Sequence, residues 1–317
     1  MLKKSLIGLL ALLLILLATA AAMNRLAPMT TAIFLRDLSR TAAGLESKTL
    51  DAQGKKFPYL QGGTGAPLIL VHGFTDNKDT WDAIAPYLTP QYTVYAPDLP
   101  GYGDATRDPN GDYSFEAQVE NLHAFIQGLG LTSVDLGGNS MGGGVVALYA
   151  AKYPNVVSSL WLLDAAGTQE AIDSPLLKNF ALTGEFPLLV KTPEQQARQF
   201  ALLLGKPRFI PYSVAYAYLQ NSIKDYEFHG NILKKWVKIV SPIESHFSNL
   251  QTPTLIVTGE KDQIIPPASV KAFAQVFPKS QTKVMPEIGH LPMLEDPKSA
   301  AADYLAFRAS LVKAQSQ

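Results

Sequence analysis

The chain has 317 residues, of which 47% are hydrophobic and 17% are charged, so it is long and apolar enough to bury a large core. This composition excludes a disordered chain. The 27 basic residues balance the 27 acidic ones, which leaves no positive surplus for binding nucleic acid. The absence of cysteine excludes disulfides, a thiol nucleophile and cysteine-ligated metals.

The first segment predicts export or membrane attachment. Lys3 and Lys4 precede an apolar run over residues 6–18, and small residues follow at 18–22. This order is typical of a cleaved secretory signal, but an uncut segment is just long enough to span a bilayer. We therefore predict that residues 1–23 are a signal peptide or a membrane anchor. The protein is then membrane-associated or, after cleavage, periplasmic or secreted.

Residues 24–46 show a second, amphipathic pattern. Apolar side chains recur near helical spacing, with arginines between them: Leu26, Met29, Ile33, Phe34, Leu38 and Leu45, with Arg25, Arg36 and Arg40. This pattern is typical of a basic helix on a lipid surface. The alternatives are a solvated linker and a helix packed on the following domain.

From residue 47 onward, short apolar runs alternate with amphipathic segments. Strands are predicted at 68–71, 93–96, 134–136, 160–163, 255–258 and 283–285. Helices are predicted at about 80–88, 114–129, 141–153, 267–277 and 298–313. This alternation predicts an α/β fold with a mostly parallel, doubly wound sheet covered on both faces.

The alternation stops between residues 168 and 250. This segment has helix-like pieces separated by prolines and carries many aromatic residues, but no strand pattern. We predict that 168–250 is a helical cap inserted into a core made of 47–167 and 251–317. The aromatic residues are sufficient to line an apolar acyl pocket, although most are expected to form the core of the cap itself.

A candidate nucleophile follows the predicted strand at 134–136. The sequence Gly-Asn-Ser-Met-Gly over residues 138–142 matches the G-x-S-x-G elbow, which holds its serine on a sharp strand-to-helix turn. Such a match is weak evidence alone, but a strand before it and a helix after it strengthen the interpretation. Ser140 is the predicted nucleophile.

A serine nucleophile needs a base that is oriented by a carboxylate. His290 follows the last predicted strand, and Asp262 follows the strand before it, at the sheet edge where α/β proteins bind ligands. Asp164 ends another strand and is the reserve candidate for the acid. The remaining histidines are expected to be structural: His72, His123, His229 and His246.

Two backbone N–H groups are candidates for stabilising an oxyanion. Met141 directly follows the nucleophile, and Phe74 follows Gly73 in the loop after the strand at 68–71. The sequence has neither an H-E-x-x-H zinc motif nor a glycine-rich phosphate loop after a strand. No metal or cofactor is therefore predicted.

Together these motifs resemble the α/β-hydrolase superfamily over residues 50–312. The resemblance is carried by His72–Phe74, Asp98–Gly103, Gly138–Gly143, Gly259–Asp262 and Gly289–His290. Within the superfamily, the chain resembles small bacterial lipases and monoacylglycerol lipase-like hydrolases. The resemblance implies the α/β-hydrolase fold, a Ser140, Asp262 and His290 triad, and Phe74 and Met141 as oxyanion donors. It implies a carboxylic ester substrate with an acyl chain.

Two other functions are weighed against this one. Carbon–carbon hydrolases of aromatic ring-cleavage products share the Gly-Asn-Ser-Met-Gly-Gly elbow, but they usually have Trp after the catalytic histidine, where this chain has Leu291. A catalytically silent binding module on the same fold is the third alternative. We predict a serine hydrolase of acylglycerols or related lipid esters that works at a membrane surface.

Overall fold

The computed structural model describes residues 2–239 and 241–315. These residues form one eight-stranded sheet in the order β1-β2-β4-β3-β5-β6-β7-β8. The strands are β1 (Glu46–Ala52), β2 (Lys55–Gly62), β3 (Ala66–Val71), β4 (Tyr92–Pro97), β5 (Val134–Asn139), β6 (Val157–Leu163), β7 (Thr254–Gly259) and β8 (Ser280–Met285). The six strands from β3 to β8 pair in parallel, and β2 pairs antiparallel with both β1 and β4. The predicted mostly parallel sheet is confirmed.

Continuous apolar runs identified the central strands because these strands are covered on both faces. Leu68 to Val71 of β3 are completely buried, as is nearly all of β5. The strand β1 at the sheet edge and its neighbour β2 were not predicted. Residues 46–49 of β1 are exposed, and β2 begins with the exposed Lys55 and Lys56, so neither strand gives a strong apolar signal.

Helices precede, flank and cap the sheet. They are α1 (Leu2–Leu26), α2 (Pro28–Ala42), α3 (Ala85–Leu88), α4 (Phe115–Gly128), α5 (Met141–Lys152), α6 (Gln169–Ile172), α7 (Pro175–Thr183), α8 (Pro193–Leu203), α9 (Tyr212–Ile239), α10 (Ser269–Val276), α11 (Pro292–Glu295) and α12 (Pro297–Gln315). The single helix predicted over 80–88 is wrong. A 3₁₀ turn at Lys78–Trp81 is followed by the short α3, because Pro86 lacks an N–H and is tolerated only in the first helical turn.

Two hydrophobic layers enclose the sheet. On one face, Phe125 of α4 and Val146 of α5 belong to a cluster that continues into the cap. On the other face, Trp81, Trp161 and Tyr304 form the centre of a second cluster, in which the Trp161 and Tyr304 rings stack with centroids 4.6 Å apart. These layers fix the carboxyl ends of the parallel strands at one edge, where the predicted site residues lie.

The segment between β6 and β7, which the sequence predicts to be a cap, contains helices α6 to α9 among the described residues. Polar contacts join it to the core. Trp236 Nε1 of α9 donates to the Tyr113 carbonyl at 2.7 Å, and Arg107 forms an ion pair with Asp225 of α9. The cap is thus held over the carboxyl edge of the sheet.

The N-terminal segment forms α1 and α2, which meet near Ala27. Helix α2 packs on α9, and Arg40 binds both carboxylate oxygens of Asp79 at 2.7 and 2.9 Å. At the junction, the Ser213 N–H donates to Asn24 Oδ1 at 2.9 Å. One side of α2 therefore packs on the domain, as in one of the alternatives considered for residues 24–46. Phe34 on the other side is 64% exposed.

Among the described residues, no single helix is both long and apolar enough to span a membrane. The bent pair Leu12–Leu26 and Pro28–Ala42 meets the length and composition criterion together. Three parts of the predicted domains lie outside the described residues: Met1 of the signal or anchor segment, residue 240 of the cap, and residues 316–317 of the core.

Candidate active site

Ser140 occupies a strained turn between β5 and α5. Its backbone has φ 53° and ψ −121°, a conformation that side-chain-bearing residues rarely adopt. The turn requires glycine at both flanks: a Cβ at Gly138 would overlap the Gly142 carbonyl, and a Cβ at Gly142 would overlap the Val71 carbonyl. The Ser140 N–H donates to the Leu163 carbonyl at 3.1 Å. The sequence-predicted elbow therefore has the expected geometry.

His290 and Asp262 meet at the same sheet edge. His290 Nδ1 lies 2.8 Å from Asp262 Oδ2, and both side chains are buried. Asp262 Oδ1 accepts from the Ile264 and Ile265 N–H groups at 2.7 and 3.1 Å. Burial disfavours the charged carboxylate, but the charge and hydrogen bond of His290 outweigh it and lower the pKa of Asp262. Asp262 is therefore an ionised partner for the imidazole.

Asp164, the reserve acid, lies beside this pair. The ligand atoms of Asp164, Asp262 and His290 are all within 4.8 Å of one another. Hydrogen bonds to Asp164 Oδ1 come from Thr258 Oγ1 and the Gly259 N–H, each at 2.9 Å. Burial and the neighbouring Asp262 charge raise the pKa of Asp164 well above its ordinary value. The carboxylate that contacts the imidazole is Asp262.

The two predicted oxyanion donors flank the nucleophile. Met141 is the first residue of α5, where a backbone N–H has no acceptor within its own helix. Phe74 follows Gly73, and a Cβ built on Gly73 would lie 3.3 Å from Ser140 Cβ. Phe74 and Met141 both line the same cavity as Ser140. The structure thus places Phe74, Ser140 and Met141 around one cavity and pairs Asp262 with His290, whose carbonyl accepts from Asn139 next to the nucleophile.

Sequence reasoning missed the residues that fix the His290 loop. Asn139 Nδ2 donates to the carbonyls of Leu163 and His290 at 3.1 and 3.0 Å. The His290 N–H donates to the Leu203 carbonyl at the end of α8 at 2.8 Å. Asn139 was visible in the sequence beside the nucleophile, but its acceptor lies 151 residues away. The sequence contains no signal for such a contact.

The other histidines make local structural contacts. His72 Nδ1 lies 2.8 Å from the Gly73 carbonyl, and His72 Nε2 accepts from the Leu99 N–H at 3.2 Å. His229 Nε2 lies 3.1 Å from the Gly101 carbonyl, and burial lowers the pKa of His229 to about 4. The His123 ring stacks on Tyr153, and His246 contacts Ser241. These contacts position loops and helices around the site.

An apolar cavity of about 190 Å³ opens beside Ser140. Its walls come from the sheet edge and the cap, and they include Phe74, Phe115, Met141, Phe186, Leu188, Leu233, Trp236, Ile264 and Ile265. Phe186 and Trp236 are the cap aromatics that reach it, whereas Phe180 packs behind Phe186 with the rings 5.7 Å apart. Only a minority of the cap aromatics therefore line the pocket, in agreement with the expectation from the sequence.

The Asp164, Asp262 and His290 group is also the place in the described chain where three potential metal ligands converge. Its geometry fits a hydrogen-bonded relay better than a metal centre. His290 Nδ1 and Asp262 Oδ2 bond each other, and both Asp262 Oδ1 and Asp164 Oδ1 already accept two hydrogen bonds. Asp164 Oδ1, both oxygens of Asp262 and His290 Nδ1 thus already have partners within the protein.

Comparison with known proteins assigns the family. The model of the alpha/beta hydrolase fold family matches residues 66–297. The chain belongs to the α/β-hydrolase family. It is 39% identical to Lipase 1 of Psychrobacter immobilis, over 92% of each chain. It is 28% identical to human monoacylglycerol lipase ABHD6, over 86% of this chain and 85% of that one. The predictions of an α/β-hydrolase fold and of a lipase-like enzyme are confirmed.

Solved structures agree with this assignment. A bacterial membrane phospholipase A has a TM-score of 0.86 and 31% identity, covering 97% of this chain and 98% of that one. A meta-cleavage product hydrolase from Pseudomonas fluorescens has a TM-score of 0.72 and 23% identity, covering 83% of this chain and 98% of that one. At that identity the likeness shows only a shared fold, so the carbon–carbon hydrolase alternative is not favoured. The silent binding module is not favoured either, because the curated relatives are enzymes.

Proposed function

We propose that this α/β-hydrolase cleaves acylglycerols or related lipid esters with Ser140 as nucleophile, His290 as base and Asp262 as the orienting acid. The observation that carries the proposal is the His290–Asp262 pair at the sheet edge, beside the strained Ser140 and its apolar cavity. Lipases among the relatives support the lipid ester substrate.

The first half of the reaction acylates the serine. Asp262 is ionised and can only accept, so His290 Nδ1 carries the proton and donates it in the hydrogen bond to Asp262, while Nε2 keeps a free lone pair. His290 Nε2 accepts the Ser140 hydroxyl proton while Ser140 Oγ bonds to the ester carbonyl carbon. The imidazolium then protonates the departing alcohol oxygen as the C–O ester bond breaks.

The oxyanion forms between these two events. The Phe74 and Met141 N–H groups are proposed to donate to it, and a donor of this kind contributes about 3 to 4 kcal/mol in comparable sites. Water then attacks the acyl-enzyme as His290 accepts its proton. Collapse of the second intermediate releases the fatty acid and returns the proton to Ser140. Every step uses side chains, backbone N–H groups and water.

The cavity favours an acyl chain over a polar group. Apart from Ser140, Ser174 and Lys178, its walls are mainly hydrocarbon and aromatic, and transfer of each methylene from water contributes about 0.8 kcal/mol. The acyl group is proposed to lie between Phe186 and Trp236. The alcohol then leaves on the side of Ser140 away from the cavity.

We propose that residues 1–23 attach the enzyme to a membrane, with export after cleavage as the alternative. The apolar stretch of α1 and the exposed apolar side of α2, which includes Ile33, Phe34 and Leu38, support attachment. Arg25 lies over the Tyr212 ring, 4.4 Å from its centroid, and so ties the end of α1 to the cap. Attachment would therefore hold the cap close to the lipid surface.

The test is an ester-hydrolysis series with the full chain and with a truncated chain that starts at Ala27. The truncation must leave α2 in place, because Arg40 binds Asp79 and Leu45 is buried. Acyl esters and monoacylglycerols of increasing chain length are the substrates. Serine-dependent turnover that rises towards longer chains is expected. Ser140→Ala and His290→Ala are each expected to lose about 10⁶-fold in kcat.

Two results would refute the proposal. Failure of both chains to hydrolyse acyl esters of any length would remove the lipid substrate. Full activity of Ser140→Ala would remove the mechanism. Ser133→Ala, at an exposed serine outside the site, is the matched control and is expected to keep the parental rate.

A further inference from the structure

A second buried carboxyl group stands beside the proposed acid. Asp164 ends β6 and Asp262 follows β7, and these neighbouring parallel strands pair Leu163 with Val257. Both side chains are buried: Asp164 is 2% exposed and Asp262 is 8% exposed. Asp164 also adopts φ 44°, a strained backbone conformation that the surrounding structure must hold in place.

The hydrogen bonds of Asp164 account for one of its oxygens. Oδ1 accepts from Thr258 Oγ1 and from the Gly259 N–H. Oδ2 is buried and receives no N–H or hydroxyl donor from the described residues. The neighbouring carboxyl group is that of Asp262, and an oxygen of Asp164 lies within 4.8 Å of an oxygen of Asp262.

The hydrogen bonds of Asp262 leave room for one more donor. A carboxylate has about four acceptor positions, and Asp262 uses three of them for Ile264 N–H, Ile265 N–H and His290 Nδ1. Two carboxylates side by side in a buried place repel each other, so such pairs hold one proton between them. That proton can satisfy both the open position on Asp262 and the unpartnered oxygen of Asp164.

The surroundings assign the proton to Asp164. Asp262 faces an imidazole and two further donors, all of which favour its charged form. Asp164 faces the Asp262 charge, and the described hydrogen-bond donors to it are the neutral Thr258 hydroxyl and Gly259 N–H. Burial and that neighbouring charge raise the pKa of Asp164, in agreement with this assignment.

We propose that Asp164 is a positioning residue, a neutral carboxylic acid whose O–H donates to Asp262 and holds that carboxylate in line with His290 Nδ1. The proposal rests on the proposed roles of Asp262 and His290. Asp164 touches neither substrate nor nucleophile in this scheme. It limits the rotation of Asp262 and spreads the negative charge over a second carboxyl group. It is not a spare acid for the imidazole.

The pH profile of kcat/KM in the full chain separates three possible roles of Asp164: a neutral donor, an ionised carboxylate and a purely structural side chain. Replacing Asp164 changes the charge near His290 differently in each case. If Asp164 is neutral, Asp164→Asn leaves the net charge unchanged and keeps a hydrogen-bond donor, since the amide can donate to Asp262. That variant is expected to keep kcat/KM within about three-fold and to keep the acid limb of the profile unmoved. Asp164→Ala removes the donor, so Asp262 presents its full charge to the imidazole.

Asp164→Ala is therefore expected to lose about ten- to a hundred-fold in kcat/KM and to move the acid limb to higher pH. An ionised Asp164 predicts the opposite sign, because either variant would remove a negative charge near the imidazole and move the acid limb to lower pH. A purely structural role predicts lower activity or stability with no movement of the limb. Either of these outcomes would overturn the proposal.

Infrared difference spectra give a second readout that does not depend on activity or on the alanine variant. The wild type minus Asp164→Asn spectrum at neutral pH is expected to contain the C=O stretch of a protonated carboxylic acid. Its absence would overturn the proposal. Thr258→Val is the control, since it removes a hydrogen bond to Oδ1 but not the shared proton. Activity that survives in Ser140→Ala would instead refute the proposed function, without bearing on the state of Asp164.

Discussion

The carboxyl edge of the sheet, where the candidate site lies, and the N-terminal helices are held in place by different forces. At the edge, Ser140, Asp262 and His290 are all at most 9% exposed, and buried hydrogen bonds fix the dyad and its loop. Helix α2 buries Ala32 but leaves Phe34 and Leu38 more than half exposed, and Arg40 provides its bidentate polar link to the domain. The edge is complete within the chain, whereas the N-terminal helices present apolar surface to an external medium.

This difference predicts large, abrupt losses at the edge and small, graded changes at the cap and the N-terminus. Asp262→Asn, at the centre of the edge, is expected to cause a large loss. The amide would hold the imidazole in the wrong tautomer, so kcat is expected to fall by about 10⁴-fold. The measurement is steady-state hydrolysis of a soluble acyl ester. Full retention of the rate would transfer the acid role to Asp164 and remove the basis of this comparison.

Asn139→Ala tests whether the edge depends on contacts outside the three proposed catalytic residues. Two buried donor bonds to the Leu163 and His290 carbonyls would be lost. The free energy of unfolding is expected to fall by about 1 to 3 kcal/mol, because the His290 carbonyl would lose its Asn139 donor while the Leu163 carbonyl would keep the Ser140 N–H. Urea denaturation measures it. Asn121→Ala, which also removes a buried amide but lies in α4 away from the edge, should leave kcat unchanged.

Phe186→Ala sharpens the contrast between the edge and the cap. The ring lines the cavity beside Ser140, so its removal enlarges the acyl site without touching the dyad. We expect kcat/KM to rise for longer acyl esters relative to short ones. The ratio of kcat/KM between esters that differ by one or two methylenes should change by about ten-fold. Phe200→Ala removes a cap ring that packs on Tyr218 instead, and its chain-length profile should match the parent.

Phe34→Asp gives the smallest expected effect and concerns the N-terminal side of the comparison. In the chain that starts at Ala27, the change removes an exposed apolar ring from α2, and binding to lipid vesicles should weaken by about ten-fold. Hydrolysis of a soluble ester should stay constant, because the ring is outside the site. Tyr87→Asp, at another exposed aromatic residue in α3, is the matched change. Equal losses in both variants would show that α2 makes no special contact with lipid.

Local patterns in the sequence were sufficient to predict the elbow and the central strands. The elbow requires glycine on both sides of Ser140, and strands covered on both faces require continuous apolar runs; both requirements act over a few residues. The same reasoning missed β1 and β2, because β1 is largely exposed at the sheet edge and β2 begins with two exposed lysines, so both strands carry mixed side chains. It also joined residues 80–88 into one helix, because apolar spacing does not register the missing N–H of Pro86.

Contacts between distant segments were decided only by tertiary structure. The sequence predicted Asp262 as the acid and kept Asp164 in reserve because both follow strands, but chain order alone did not give their distances to His290. Strand order brings β6 beside β7, and Gly259 then donates to Asp164 while Asp262 turns to the imidazole. The sequence alone predicted which residues carry the chemistry, since each motif needs particular side chains at fixed spacing. Which of the two carboxyl groups pairs with the imidazole was decided only by the fold, because it depends on burial and on donors contributed by other strands.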